Sequence, residues 1–122
     1  MSLIYLDLSN NSLSGIILPW IMSLVNMEHS KLRSNNCGEN IPAAIGCLCH
    51  LKDLDFSLNF LSGSIPPFLG YLSALNYLSL SDNSLTGGIP KEMLSFETLI
   101  ASDNSLVGSI LLGIGKLVYL KY

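Results

Sequence analysis

Leucines and other apolar residues alternate with polar residues in short stretches that return at a nearly constant interval along the chain. The stretches follow the spacing L-x-x-L-x-L most clearly in three copies: Leu3, Leu6 and Leu8; Leu51, Leu54 and Phe56; Leu75, Leu78 and Leu80. The alternation at the end of this spacing predicts a short β-strand with one buried face. Because the interval is nearly constant, we expect one strand in each coil of a tandem repeat.

An asparagine follows each stretch, and an isoleucine comes six residues after it. The pairs are Asn11 and Ile17, Asn35 and Ile41, Asn59 and Ile65, Asn83 and Ile89, and Asn104 and Ile110. Successive asparagines lie 24, 24, 24 and 21 residues apart. An asparagine amide both donates and accepts hydrogen bonds, and a buried backbone group without a partner is costly. The five asparagines therefore predict a structural ladder in the turns.

The complete repeat resembles the plant-specific subclass of leucine-rich repeats, whose consensus is L-x-L-S-x-N-x-L-S-G-x-I-P-x-x-L-G-x-L. The match is clearest in residues 6–15, 59–66 and 83–90, and the resemblance covers essentially the whole chain. It implies the extracellular domain of a receptor-like kinase or receptor-like protein. The fold implied is an α/β repeat solenoid, a leucine-rich-repeat right-handed superhelix. Short parallel strands would form its concave face, and irregular or 3-10 segments its convex face.

The repeat predicts a single domain over residues 1–122 with five repeats, approximately 3–26, 27–50, 51–74, 75–95 and 96–120. No cysteine-bearing cap of the kind found in the plant family precedes Leu3 or follows Leu120. We interpret the chain as a piece of a larger ectodomain. The alternative is a short gene product that associates through its ends.

Two copies depart from the pattern. In the second, Ser30 and Cys37 replace core leucines, and Glu39 occupies the position of a glycine. The last copy is three residues shorter, between Ile89 and Asn104. We expect a looser second coil and a local offset before the fifth.

Composition narrows the possible functions. The chain has 122 residues, of which 49% are hydrophobic and 12% charged, with a formal net charge of −3. This balance argues against disorder and against a basic surface for nucleic acid. No apolar stretch reaches the roughly 20 residues of a membrane span, and no signal peptide is visible in the chain.

Candidate chemistry is sparse. No nucleophile, paired carboxylates or metal-ligand spacing points to catalysis, so we expect no enzyme, no cofactor and no metal site. Cys37 is expected in the core, whereas Cys47 and Cys49 are placed on the convex side next to His50. The odd number of cysteines leaves a free thiol or an intermolecular disulfide open.

The register of the repeat predicts which side chains point outward from the concave sheet. One column of residues reads Tyr5, His29, Asp53, Tyr77 and Thr98, and the next reads Asp7, Lys31, Asp55, Ser79 and Ile100. The predicted ligand-binding residues are Tyr5, Asp7, His29, Lys31, Arg33, Asp53, Asp55, Tyr77 and Ser79. A surface ladder of ion pairs is a second interpretation of the same charges, compatible with the first.

The sequon Asn10-Asn11-Ser12 makes Asn10 a candidate glycosylation site, with Asn11 pointing inward. The resemblance implies a recognition module of a plant receptor in defence or developmental signalling. Its partners would be a protein or peptide ligand, with a co-receptor or flanking repeats as further candidates. An inhibitor of a secreted cell-wall-degrading enzyme, similar to polygalacturonase-inhibiting proteins, is the alternative. An ice-binding solenoid is a third possibility, which the irregular convex face disfavours.

Overall fold

Two parallel five-stranded sheets run the length of the solenoid. In a computed structural model of the chain, the described residues are 3–16, 23–95 and 97–106. The concave sheet has the order β1-β3-β5-β7-β9, with strands Tyr5–Asp7, His29–Lys31, Asp53–Asp55, Tyr77–Ser79 and Thr98–Ile100. The second sheet has the order β10-β8-β6-β4-β2, with strands Ser105–Leu106, Ser84–Gly87, Phe60–Ser64, Asn36–Asn40 and Ser14–Ile16.

Short 3-10 helices lie on the convex side, as the resemblance implied. They span Ala43–Cys47, Pro67–Tyr71 and Lys91–Ser95, and each begins directly after a proline. Proline suits this place because its fixed φ starts a helical turn and its missing N–H is not needed there. Ile45, Leu69 and Met93 anchor the three helices in the core, each with at most 1% of its surface exposed.

The predicted inward positions form the core. The strand register stacks Leu6, Ser30, Leu54, Leu78 and Leu99 in one column. Ile41 and Ile65, six residues after their asparagines, are also buried, while Ile17 and Ile110 lie outside the described residues, as do the ends of the first and fifth repeats.

The departures in the sequence have local consequences. Ser30 is 1% exposed, and its hydroxyl has no hydrogen-bond partner among the residues that the structure describes. The shortened last copy does not displace the concave strands, because Tyr77 still pairs with Thr98. The three missing residues come out of the turn between the 3-10 helix Lys91–Ser95 and β9.

An asparagine ladder joins neighbouring coils from the second coil onward among the described residues. Asn59 accepts a hydrogen bond from the backbone N–H of Cys37 at 3.0 Å and donates to the carbonyls of Leu32, Phe56 and Ser57. The same arrangement recurs at Asn35, Asn83 and Asn104.

Asn11, at the first described coil, departs from the inward position expected for it. Its amide donates only to the carbonyls of Leu8 and Ser9, within its own coil, and the residue is exposed. No coil N-terminal to it offers a carbonyl among the described residues. Asn11 therefore lacks the contacts between coils that define the ladder elsewhere.

The second sheet was not anticipated from the sequence. Its strands follow the ladder asparagines and contain glycines with a left-handed backbone, at φ +93° for Gly15, +77° for Gly63 and +76° for Gly87. Glu39 takes the same conformation, at φ +62°. A side chain with a Cβ is disfavoured in this region, so the second coil carries backbone strain that its neighbours avoid.

Replacing Glu39 with glycine should stabilise the chain. We expect Glu39→Gly to raise the free energy of unfolding by about 1 kcal/mol, because the left-handed backbone then costs little. Urea unfolding followed by circular dichroism measures the change. Gly63→Ala is the opposite variant and should destabilise, since its new Cβ would overlap the side chain of Asn40. An unchanged or lower stability of Glu39→Gly would contradict the assignment of strain.

Candidate functional site

The concave sheet brings together the residues of the two predicted columns. Tyr5 pairs with His29, His29 with Asp53, and Asp53 with Tyr77 along the register of the parallel strands. Asp7, Lys31, Asp55 and Ser79 follow one another in the same way. Neighbouring strands in a sheet lie about 4.8 Å apart, so each column is a row of closely spaced side chains.

The first column is held together by direct contacts. The Nδ1 atom of His29 lies 2.5 Å from Oδ2 of Asp53, and both side chains are partly exposed. On the other side, the rings of Tyr5 and His29 have centroids 5.8 Å apart with planes tilted by 41°. Tyr5, 51% exposed, thus ends a connected strip that a partner can touch.

The carboxylates of the second column serve their own strands. Asp7 accepts a hydrogen bond from the backbone N–H of Ser9 at 3.0 Å. Asp55 accepts two from Ser57, from the N–H at 2.9 Å and from the hydroxyl at 2.6 Å. The hydrogen bonds from Ser9, with a smaller contribution from Lys31, hold the pKa of Asp7 below its ordinary value. Asp7 is therefore ionised at neutral pH.

Lys31 lies between Asp7 and Asp55 in the column but forms a contact ion pair with neither. The alternating charges therefore do not form the ladder of ion pairs that was the second interpretation of the sequence. Its ammonium is instead 5.8 Å from the centroid of the Tyr5 ring. The hydroxyl of Tyr5, together with the carboxylates of Asp7 and Asp55, raises the pKa of Lys31 above its ordinary value. Lys31 is thus a charged and exposed cation.

Arg33 lies two residues beyond Lys31. Its guanidinium donates to the hydroxyl of Ser57 at 2.8 Å, the same hydroxyl that donates to Asp55. One hydrogen bond leaves most of the five N–H donors of the arginine unused by the described residues. An exposed guanidinium with free donors is suited to a carboxylate of a ligand.

These groups line one depression of about 530 Å³, which we call the concave patch. Its lining residues are Asp7, Ser9, Asn10, Lys31, Arg33, Asp53, Asp55 and Tyr77. Three carboxylates and two cations therefore meet on one surface. Sequence reasoning included six of these residues as ligand-binding but not Ser9 or Asn10, which follow the end of β1 and are reached by extending the strand register.

Three of the predicted ligand-binding residues do not line the concave patch. Tyr5 and His29 do not line it and form the strip beside it. Ser79 is only 3% exposed, and its Oγ lies 3.5 Å from that of Ser81. Asp55 and Ile100 flank Ser79 in the column. The burial of Ser79 corrects the expectation that it offers surface to a ligand.

The three cysteines lie in two different environments. Cys37 is buried, with its pKa raised by burial, while Cys47 and Cys49 are exposed free thiols. Within residues 3–16, 23–95 and 97–106, no three histidine, cysteine or acidic side chains are grouped as metal ligands. Over the same residues, none of the helices has the length and apolar character needed to cross a membrane.

The coiled parallel sheets, the asparagine ladder and the open concave patch define a leucine-rich-repeat solenoid. A family model described as Leucine Rich Repeat matches residues 2–24, 50–72 and 74–96, more than half of the chain. The chain belongs to the leucine-rich-repeat family, in the form found in plant receptor kinases. A comparison with curated proteins finds no match.

Solved structures give the same picture. The chain is 33% identical to the Arabidopsis receptor kinase HAESA, in a complex with the peptide hormone IDA and the co-receptor SERK1, with a TM-score of 0.89. That match covers 98% of this chain but 21% of HAESA. The ectodomain of the receptor kinase SOBIR1 from Arabidopsis thaliana is 30% identical, with a TM-score of 0.86 over 96% of this chain and 67% of that one.

A protein of different function shares the fold. A plant ice-binding protein is 33% identical, with a TM-score of 0.78 over 85% of this chain and 34% of that protein. Because one fold supports both roles, the function has to be argued from the surface of this chain.

Proposed function

We propose that this chain is a protein- or peptide-recognition module of a plant cell-surface receptor in defence or developmental signalling. The concave patch would be its ligand site, with the Tyr5, His29 and Asp53 strip beside it. The module would act outside the cell by binding alone, without catalysis or a cofactor. A co-receptor or flanking repeats would complete the assembly, as the complex of HAESA with a hormone and SERK1 suggests by similarity.

One observation carries this proposal. The cations and carboxylates of the concave patch do not neutralise one another in contact pairs among the described residues. Lys31 lies over Tyr5, Arg33 binds a serine, and Asp7 and Asp55 accept from serines. Charges of both signs are thus held in fixed positions and remain available to a ligand. Such preorganised polar groups favour a peptide that presents both signs.

Charge reversal at Lys31 tests the site. A display library of random linear peptides is selected on the immobilised chain, and dissociation constants of the enriched peptides are measured for each variant. We expect Lys31→Glu to weaken binding at least about tenfold, because a like charge then faces the acidic groups of the ligand. Asp55→Lys should bind more weakly those peptides whose basic groups contact Asp55 in the wild type.

Lys91→Glu is the matched control, since it reverses the same charge at an exposed position in the convex 3-10 helix Lys91–Ser95. It should leave the dissociation constants unchanged, and thermal unfolding verifies that all variants fold. Equal binding by wild type, Lys31→Glu and Asp55→Lys would refute the concave patch as the ligand site.

A further inference from the structure

A second surface lies where each concave strand ends and the chain turns into the second sheet. The residue before each ladder asparagine is held in the left-handed conformation, with φ between +55° and +58°. These residues are Asn10, Ser34, Leu58, Asp82 and Asp103, and we call them the rim row. The shared backbone conformation places their side chains one coil apart along the edge of the solenoid, at intervals of about 4.8 Å.

Leu58 does not suit this position. Asparagine and aspartate tolerate the left-handed region because they are short and polar, whereas a leucine there is strained. Leu58 is 39% exposed, in contrast to the fully buried leucines of the core. Its backbone N–H makes the regular bond to Ser81, so the coil itself is intact. An apolar side chain with this much exposed surface is available to a partner.

Phe60 repeats the anomaly two residues later. It begins β6 and is 63% exposed, although the corresponding positions hold Ser12, Asn36, Ser84 and Ser105. Its partner in the neighbouring strand is Gly38, which has no side chain to cover the ring. Leu58 and Phe60 flank the buried Asn59, so the third coil alone presents two large apolar groups at this edge.

Two aspartates of the rim row lie beside this apolar pair. Asp82 and Asp103 follow Leu58 in the row, and both are exposed. Neither carboxylate is engaged in an ion pair or a side-chain hydrogen bond with the described residues. A basic partner group would therefore find two unpaired acceptors about one and two coils beyond the apolar anchor.

We propose that Leu58, Phe60, Asp82 and Asp103 form a docking surface for an extended protein segment with one large apolar side chain followed by basic residues. An extended chain advances about 3.3 Å per residue, so one coil corresponds to one or two residues. Since alternate side chains of an extended segment face the same side, basic side chains at the second and fourth positions after the apolar one would face the rim row. None of these four residues lines the concave patch, and the occupant is a partner additional to the proposed ligand.

The test uses the full chain and a display library of random linear peptides, counter-selected on the double variant Leu58→Asn with Phe60→Ser. Both replacements occur at equivalent positions of other coils, at Asn10 and Ser84. The variant should fold, with a raised melting temperature from the relief of strain at residue 58. Peptides with the apolar-then-basic pattern should be enriched and should bind the double variant at least about tenfold more weakly.

Asp82→Asn with Asp103→Asn should weaken the same peptides and reduce the salt dependence of their binding. Lys31→Glu, in the concave patch, and Phe68→Ala, an aromatic on the convex side that is 48% exposed, should leave them unchanged. The failure of this proposal and that of the concave ligand site are thereby distinguished.

Three results would overturn the docking surface: no peptides that discriminate against the double variant, discriminating peptides without basic residues, or equal loss of binding with Phe68→Ala. Sedimentation velocity tests whether the chain forms dimers through this surface. Concentration-dependent dimers that disappear in the double variant would identify a second copy of the chain as the occupant and overturn the peptide proposal.

Discussion

Asn59→Ala is expected to lower the free energy of unfolding by about 3 kcal/mol. Asn59 is 6% exposed and makes four hydrogen bonds, one of which is the partner of the backbone N–H of buried Cys37. Removing the amide leaves that N–H unpaired in the core and withdraws donors from three carbonyls, and each unpaired buried group costs about 1–3 kcal/mol. Urea unfolding measures the change in the free energy of unfolding, with the same dependence on urea concentration in the variant and the wild type.

Asn11 provides the matched control for this prediction. It occupies the same place in the first described coil, but it is exposed and bonds only within its own coil. Asn11→Ala should cost less than about 1 kcal/mol, because water can replace both bonds. Asn59→Asp should be as damaging as alanine, since it keeps an acceptor for Cys37 but turns a negative charge toward the carbonyls of Leu32 and Phe56. Similar costs for Asn59→Ala and Asn11→Ala would refute a ladder that joins neighbouring coils.

The register of the concave sheet could be read from the sequence because one physical requirement repeats. Each coil must bury its leucines against the next, and a shift by one residue would turn them to solvent. Spacing alone therefore placed His29 between Tyr5 and Asp53, as the strand pairing confirms. Even the shortened last coil keeps this register, since the loss falls between the 3-10 helix Lys91–Ser95 and the strand Thr98–Ile100, outside the paired strands.

The second sheet escaped the sequence analysis for an equally physical reason. Its strands are short, contain glycine and lack a strong alternation of apolar residues, so no local preference marks them. They form because the preceding coil offers a parallel row of backbone groups at hydrogen-bonding distance. Pairing between Gly38 and Phe60 is a property of two stacked coils and is not encoded in either segment alone.

Side-chain partners in the candidate site were only partly predictable. Alternating charges on Asp7, Lys31 and Asp55 suggested ion pairs, but both carboxylates bind the serine two residues later. The motif Asp-x-Ser was visible in the sequence, and short-range bonds of this kind form without the entropy cost of ordering a lysine. The burial of Ser79 was not predictable from the register, because the register gives the direction of a side chain and not how much of it is covered.

The second large effect is expected at Leu78, which is fully buried between Leu54 and Leu99 in the inward column. Leu78→Ser should lower the free energy of unfolding by about 4 kcal/mol, since it empties the site of a leucine and buries a hydroxyl. In a solenoid each coil is stabilised mainly by its neighbours, so the loss falls on two interfaces. Urea unfolding followed by circular dichroism measures it.

Ser30 is the natural counterpart of that variant, because it occupies the same column and its buried hydroxyl has no partner. Ser30→Ala should therefore raise the free energy of unfolding by about 1 kcal/mol, the opposite sign from Leu78→Ser. Together, the two variants test whether the inward column that contains Ser30 and Leu78 is a packed core in every coil. A cost below about 1 kcal/mol for Leu78→Ser, or a loss of stability in Ser30→Ala, would show that the coils tolerate polar groups there. The second coil would then not be the weak link that its buried serine implies.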